Sequence, residues 1–293
     1  MNYIRCALLG IMISCGLSLV KAEEIQSSSA PVFDIKAADK ALASKKYGEA
    51  RDLYLEGAEA GNGRAQAMLC YVYAENFGVY PARADVLAEA TVEAAQKAVA
   101  EKYAEALKWC RSSEAQGDPR GETMLGQLYE RGVGVPQDYG KARELYLKAA
   151  KQDHATAQDY LAGLSARGHG VKQDYTEALR WYRLAASQGH AAAMLDIGTF
   201  YEHGNGVQKD ISEAFRWYLM AADKGDALAE SYVADMYRAG TGVKKDEAEA
   251  DKWYRRAADH GNAYAKKYLD WKAARDMNRG IDSLSKAVDF GKP

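Results

Sequence analysis

Trp181, Trp217 and Trp253 recur every 36 residues, each followed by Tyr, and Leu145 and Trp109 fall on the same step further back. A second signal keeps that step: Gly132-Val133-Gly134-Val135, Gly168-His169-Gly170-Val171, Gly204-Asn205-Gly206-Val207 and Gly240-Thr241-Gly242-Val243. A fixed period of this length marks a repeat architecture, in which each unit buries its apolar face only by stacking on its neighbours. Stacked repeats mainly build an extended surface for a partner, which lowers the expectation of an enzyme.

Each unit contains the pattern of two helices. In the fourth, the spacing predicts a first helix, A, over Ala191–His203, closed by Gly204, which can enter the left-handed region without steric penalty. Asp210 is placed to cap a second helix, B, with Glu213 three residues on; Asp174 with Glu177 and Asp246 with Glu249 repeat the arrangement. Helix B should run to about Lys224 and stop at Gly225. The positions of Ala193, Ile197, Phe200 and Tyr201 stay mostly apolar from unit to unit, at i, i+4, i+7 and i+8, and so share one face of A. Ala214, Trp217, Tyr218, Ala221 and Ala222 do the same in B. Small residues at Gly198 and Ala214 should let the helices approach, with Trp217 and Tyr218 filling the space between pairs.

Five A–B pairs begin near Arg64, Pro119, Ala155, Ala191 and Ala227. A B-type helix (Tyr47–Ala60) precedes them and an A-type helix (Ala263–Arg275) follows. An amphipathic stretch over Val32–Lys45 should cap the N-terminal end, so the array with its caps spans 32–276. The tail, 277–293, loses the pattern and is expected to be loose. Tyr47 and Tyr103 are 56 residues apart, one period plus 20. The extra stretch, about 80–100, is rich in Ala and Glu and is expected to continue into 103–116 as one long helix. It is either a functional protrusion or a tolerated bulge.

The pattern Leu/Ile-Gly-x-x-Tyr-x-x-Gly-x-Gly-Val-x-x-Asp, then Ala-x-x-Trp-Tyr-x-x-Ala-Ala-x-x-Gly, resembles the Sel1-like repeat, a relative of the tetratricopeptide repeat. In the fourth unit its residues are Ile197-Gly198, Tyr201, Gly204, Gly206-Val207, Asp210, Ala214, Trp217-Tyr218, Ala221-Ala222 and Gly225. The first unit departs at Asn76, the third at Ser165 and Asp153. The resemblance implies an all-α, right-handed superhelical solenoid of antiparallel helix pairs whose A helices line the concave side. Exported bacterial members of the family are linked to signalling control, secretion, surface assembly, host interaction and toxin neutralisation.

The first 22 residues differ in kind. Arg5 gives a short positive region, Cys6–Val20 is apolar and uncharged, and Val20-Lys21-Ala22 fits a cleavage site. This is the pattern of a signal peptide cleaved after Ala22, followed by a polar linker over 23–31. Ile13-Ser14-Cys15-Gly16 only loosely resembles a lipoprotein box, because Met12 is atypical and the apolar run continues past Cys15. No other segment is long and apolar enough to span a bilayer. A periplasmic or secreted protein is expected, most simply a monomer. Cleavage removes Arg5 and Lys21 and no acid, taking the formal charge from −2 to −4. With no basic stripe, nucleic acid is not an expected partner. Cys70 and Cys110 then remain, on helix positions that should face each other within one pair, either disulfide-bonded or as two packed thiols.

Catalytic and metal motifs are lacking. There is no His-Glu-x-x-His or Cys-x-x-Cys, and His154 and His190 occupy a helix-start position that holds Asp118, Asp226 and Asn262 elsewhere. The Gly-x-Gly loops follow helices rather than strands, which favours capping over phosphate binding. No metal, cofactor or catalytic residue is expected. Variable A-helix positions at i, i+4 and i+7 suggest a recognition groove: Thr123, Gln127 and Glu130; Asp159, Gly163 and Ala166; Leu195, Thr199 and Glu202; Ser231, Asp235 and Arg238. The leading expectation is a non-catalytic module that binds a protein or peptide there, as adaptor, regulator or toxin-neutralising inhibitor. An envelope assembly factor that binds glycan or a membrane complex is the alternative, and an envelope hydrolase a remote one. Substituting Glu130, Glu202 and Asp235 together is expected to abolish binding without unfolding.

Overall fold

The computed structural model describes residues 33–75 and 92–289. The expected signal peptide and linker, and residues 76–91 with the first part of the extra stretch, lie outside the described residues. The described residues form thirteen helices and no strand. In chain order they are α1 (Ile35–Ala43), α2 (Tyr47–Glu59), α3 (Gly63–Glu75), α4 (Val92–Ala115), α5 (Pro119–Arg131), α6 (Tyr139–Ala150) and α7 (Ala155–Arg167). There follow α8 (Tyr175–Ser187), α9 (Ala191–His203), α10 (Ile211–Asp223), α11 (Ala227–Ala239), α12 (Glu247–Asp259) and α13 (Ala263–Asp289). From α3 onward the odd-numbered helices are type A and the even-numbered type B. Each packs on the helices before and after it, and the A helices also approach one another at α3–α5 and α5–α7. The result is an all-α stack of helix pairs.

The helix boundaries follow from the caps. Gly132, Gly168, Gly204 and Gly240 close the A helices at φ between 66° and 78°. The Asp174, Asp210 and Asp246 carboxylates each accept the backbone N–H of the Glu three residues on, at 2.9 Å. At A-helix starts, the Asp118 carboxylate accepts from the Arg120 amide, Asp226 from the Leu228 and Ala229 amides, and the His190 imidazole from the Ala193 amide. The second loop glycine serves packing. At Gly206 (φ +67°) an added Cβ would sit 2.8 Å from the Tyr175 Cβ and 3.0 Å from its carbonyl carbon. Gly206→Ala is therefore expected to cost about 2 kcal/mol, from left-handed strain plus overpacking. Urea denaturation checks this; a loss under about 0.5 kcal/mol would show that the loop yields.

The core runs between the helices of each pair. Tyr146, Tyr218 and Tyr254 are fully or almost fully buried, and Tyr182 nearly so. An added Cβ at Gly126 or Gly198 would lie 2.5 Å from the Tyr146 or Tyr218 ring, so the small residue on A is what admits the ring from B. Trp181, Trp217 and Trp253 are only half-buried, so the tyrosine fills the pair and the tryptophan shields its edge. In the first unit, Cys70 replaces the small residue and Cys110 the tyrosine. Their sulfurs are bonded, with Cα atoms 5.2 Å apart. The disulfide thus stands where other units place a ring over glycine or alanine.

The extra stretch runs on into the next helix as expected: among the described residues α4 is unbroken from Val92 to Ala115. One expectation needs adjustment. The residues after 276 are not irregular: α13 continues to Asp289. Between Met277 and Asp289 there is no proline and only Gly280 among otherwise helix-compatible residues, so loss of the repeat pattern did not entail loss of the helix.

Candidate partner-binding face

The twelve variable A-helix positions divide on folding. Thr123 and Ser231 are turned inward, each about 2% exposed. The Thr123 hydroxyl donates to the Pro119 carbonyl at 2.6 Å and lies 3.0 Å from His154 Nδ1; the Ser231 hydroxyl donates to the Leu228 carbonyl at 2.7 Å. Leu195 packs against the central core, and Thr199 donates to the Leu195 carbonyl at 3.2 Å. Gly163 is buried, leaving room for the Arg167 guanidinium over its Cα; Ala166 packs against the core. Gln127 is half-buried and hydrogen-bonds Tyr160.

The acids are held by tyrosines. Glu130 accepts from Tyr146 (2.7 Å), Glu202 from Tyr218 (2.6 Å) and Asp235 from Tyr254 (2.6 Å). Burial, reinforced by these carboxylates, pushes all three phenols well above their usual range, so the hydroxyls remain donors. Glu130 also pairs with Arg167 (3.1 Å), and Asp235 with Arg238 (2.8 Å). Replacing the three acids would strip partners from buried hydroxyls, so that triple substitution perturbs packing as well as surface.

Of the twelve, Arg238 is exposed; other side chains that reach the surface lie in two adjacent registers. One holds Met68, Met124, Tyr160, Asp196, Tyr232 and Tyr268; the other runs through Arg120, Thr156, Ala192, Leu228 and Tyr264. At the N-terminal end they form a largely apolar notch of about 250 Å³, lined by Met68, Tyr71, Arg120, Met124, His154 and Thr156 among others. At the C-terminal end, large apolar side chains stay open: Leu228 (45% exposed), Tyr232 (38%), Tyr264 (51%) and Trp271 (55%). Tyr160, Tyr232 and Tyr268 each lie against the buried tyrosine of their neighbouring B helix, with ring centroids 5.3, 5.2 and 4.0 Å apart.

The middle of the face breaks this series. In α9 the register holds Asp196 instead of tyrosine, and it accepts a hydrogen bond from Tyr182. Asp159 lies nearby on α7. Its Oδ1 is buried and makes no hydrogen bond, and His190 Nδ1 is 3.9 Å away. Burial first, then the charge of Asp196, pushes the Asp159 carboxyl up to about 7. Burial also raises Asp196 and lowers His154 and His190. Among the described residues, no three His, Cys, Asp or Glu side chains are placed to hold a metal ion, and no helix is long and apolar enough to cross a membrane.

The Sel1 repeat pattern matches residues 119–154, 155–190, 191–226 and 227–262, four consecutive helix pairs on the 36-residue step. The crystal structure of a Sel1 repeat protein from Oxalobacter formigenes is similar to this chain at 31% identity, covering 87% of this chain and 100% of that one, with a TM-score of 0.64. This chain belongs to the Sel1 repeat family. Sel1 repeats are in general protein-interaction modules rather than catalytic ones. A second Sel1-type structure, a protective antigen present in uropathogenic Escherichia coli strains, is 32% identical over 75% of this chain and 43% of its own length, with a TM-score of 0.56. An immunity protein from Pseudomonas aeruginosa shares the fold at 18% identity, over 80% of this chain and 86% of that one, with a TM-score of 0.53. No curated protein matches the chain by sequence.

Thr123, Asp159, Leu195 and Ser231, the first position expected on each A helix, stand one residue before the register of Met124, Tyr160, Asp196 and Tyr232. A signal was present: Tyr160, Tyr232 and Tyr268 share a register with Asp196, and an aromatic position that turns acidic in one unit differs from an ordinary core position.

Proposed function

We propose that this Sel1 repeat protein is a non-catalytic binding module of the bacterial cell envelope. It is exported by its N-terminal signal sequence, cleaved after Ala22, and holds a protein or peptide partner along its A-helix face. The observation that carries this reading is the clustering of large exposed apolar side chains, Leu228, Tyr232, Tyr264 and Trp271, in adjacent A-helix registers of a family built for protein contact. Exposed aromatics at such density mark recognition surfaces in soluble proteins. The partner is kept without turnover, as by an adaptor, a regulator or an inhibitor; the fold shared with an immunity protein supports the inhibitor form.

The test is a pull-down of the mature chain from its own envelope extract, read by mass spectrometry, beside a Tyr232→Ser/Trp271→Ser variant. One stoichiometric protein, lost in the variant, is the expected result. Recovery of glycan or wall fragments alone would support an envelope assembly factor instead, for which the open Tyr264 and Trp271 rings offer a stacking surface.

A further inference from the structure

Resting on the reading that this face receives a protein partner, we propose that it takes an extended segment with an apolar side chain in the Met68–Met124 notch and a lysine or arginine at the Asp159–Asp196 junction. Charge on the face is the first argument. Arg167 ion-pairs with Glu130 and Arg238 with Asp235, whereas Asp159, Asp196 and Glu202 have no lysine or arginine within 4 Å among the described residues, and Arg167 reaches Asp159 and Asp196 only through space. Asp159 Oδ1 additionally lacks a hydrogen-bond donor, which an incoming ammonium or guanidinium supplies. A partner carboxylate at the same place would meet like charge in a half-buried setting.

Chain order sets the spacing. The notch is lined from α3, α5 and the start of α7, and the two acids lie on α7 and α9, about one and a half helix spacings from its centre. Packed helices stand 8–10 Å apart, so the anchors are roughly 12–15 Å apart. At about 3.3 Å per residue, an extended segment spans that distance in roughly four or five residues. The tyrosine faces flanking the acids, Tyr160 and Tyr232, suit the aliphatic stem of a long basic side chain.

The probes are two synthetic peptides, acetyl-Ala-Leu-Ser-Ala-Ser-Ala-Lys-Ala-amide and its twin with Glu in place of Lys, titrated into isotope-labelled mature protein. Saturable amide shifts at Met124, Asp159 and Asp196 are expected with the Lys peptide, and affinity at least about tenfold weaker for the Glu twin. Asp159→Asn/Asp196→Asn should lose the Lys peptide by a similar factor. That variant removes half-buried charge, and an unchanged far-UV spectrum with a melting temperature no lower than the parent's at pH 5 establishes that it is folded. Equal affinity for the two peptides, no saturable shift, or undiminished binding by the folded double variant would overturn the proposal. An envelope pull-down that still recovers one stoichiometric protein alongside any of those results overturns the basic-segment inference alone; a pull-down that recovers none counts against the proposed function instead.

Discussion

Arg256→Met is expected to destabilise the last two units by about 3 kcal/mol, the low end of what breaking a buried ion pair costs. The Glu230 side chain is fully buried on α11, and its carboxylate meets Arg256 Nε at 2.5 Å and His260 Nδ1 at 2.9 Å. Removing the guanidinium leaves a buried charge with one half-exposed imidazole, and also frees the Ala222 carbonyl that Arg256 holds at 2.7 Å. The second unit repeats this device, with Lys148 3.0 Å from the buried Glu122 and Gln152 donating to it at 2.9 Å. The fourth unit does without it: Met194 and Met220 occupy the registers of Glu230 and Arg256. Glu230→Met/Arg256→Met should therefore return to within about 1 kcal/mol of the parent, since apolar replacement of a whole buried pair is close to neutral. Hydrogen exchange in α11 and α12 reads the effect locally, as suits a stack in which stability is a sum of neighbour terms. A single variant as stable as the parent would show that Glu230 is not a strained charge.

Asp159→Asn is expected to stabilise the α7–α9 region at pH 8 and to have little effect at pH 4. In the folded chain the carboxyl is raised to about 7, against about 3.9 when unfolded. The folded state then holds the extra proton between those values. The site's stabilising contribution is full below the unfolded pKa and is lost as pH rises through the folded one. The gap between the folded and unfolded values sets an upper bound of about 4 kcal/mol on the Asn-minus-Asp difference at pH 8. Asp196 on α9 and, more weakly, Arg167 at the end of α7 act on this carboxyl, and His190 at the start of α9 faces it. His190 and His154 shift the opposite way, their contribution being lost as pH falls. The difference between variant and parent isolates the aspartate. Hydrogen exchange or urea denaturation across this pH range measures it, and a difference independent of pH would refute the assignment.

The helix pairs were legible because periodicity and capping are local signals. Ala191–His203 emerges from the spacing of four apolar residues and one glycine and is the observed α9. The binding face was less legible because side chains on a helix lean toward its N-terminus, which shifts coverage by about one position. Thr123 and Ser231 were expected on the surface and are buried, while Met124 and Tyr232, one residue on, reach it. The tyrosine–carboxylate pairs were illegible for another reason. Tyr218 and Glu202 are 16 residues apart and meet only after two helices have packed.

The Cys70–Cys110 bond changes what the extra stretch of the first unit can tolerate. With the bond closed, the residues between the two cysteines form a covalent ring, and α3 and α4 stay joined whichever peptide bond within that ring is broken. A protease cut there yields a single molecule until the thiols are reduced. The ring can also lengthen or change sequence without shifting the register of the four regular units that follow. This makes the first unit the place where this chain can accept new sequence, with the rest of the stack left as a fixed ruler.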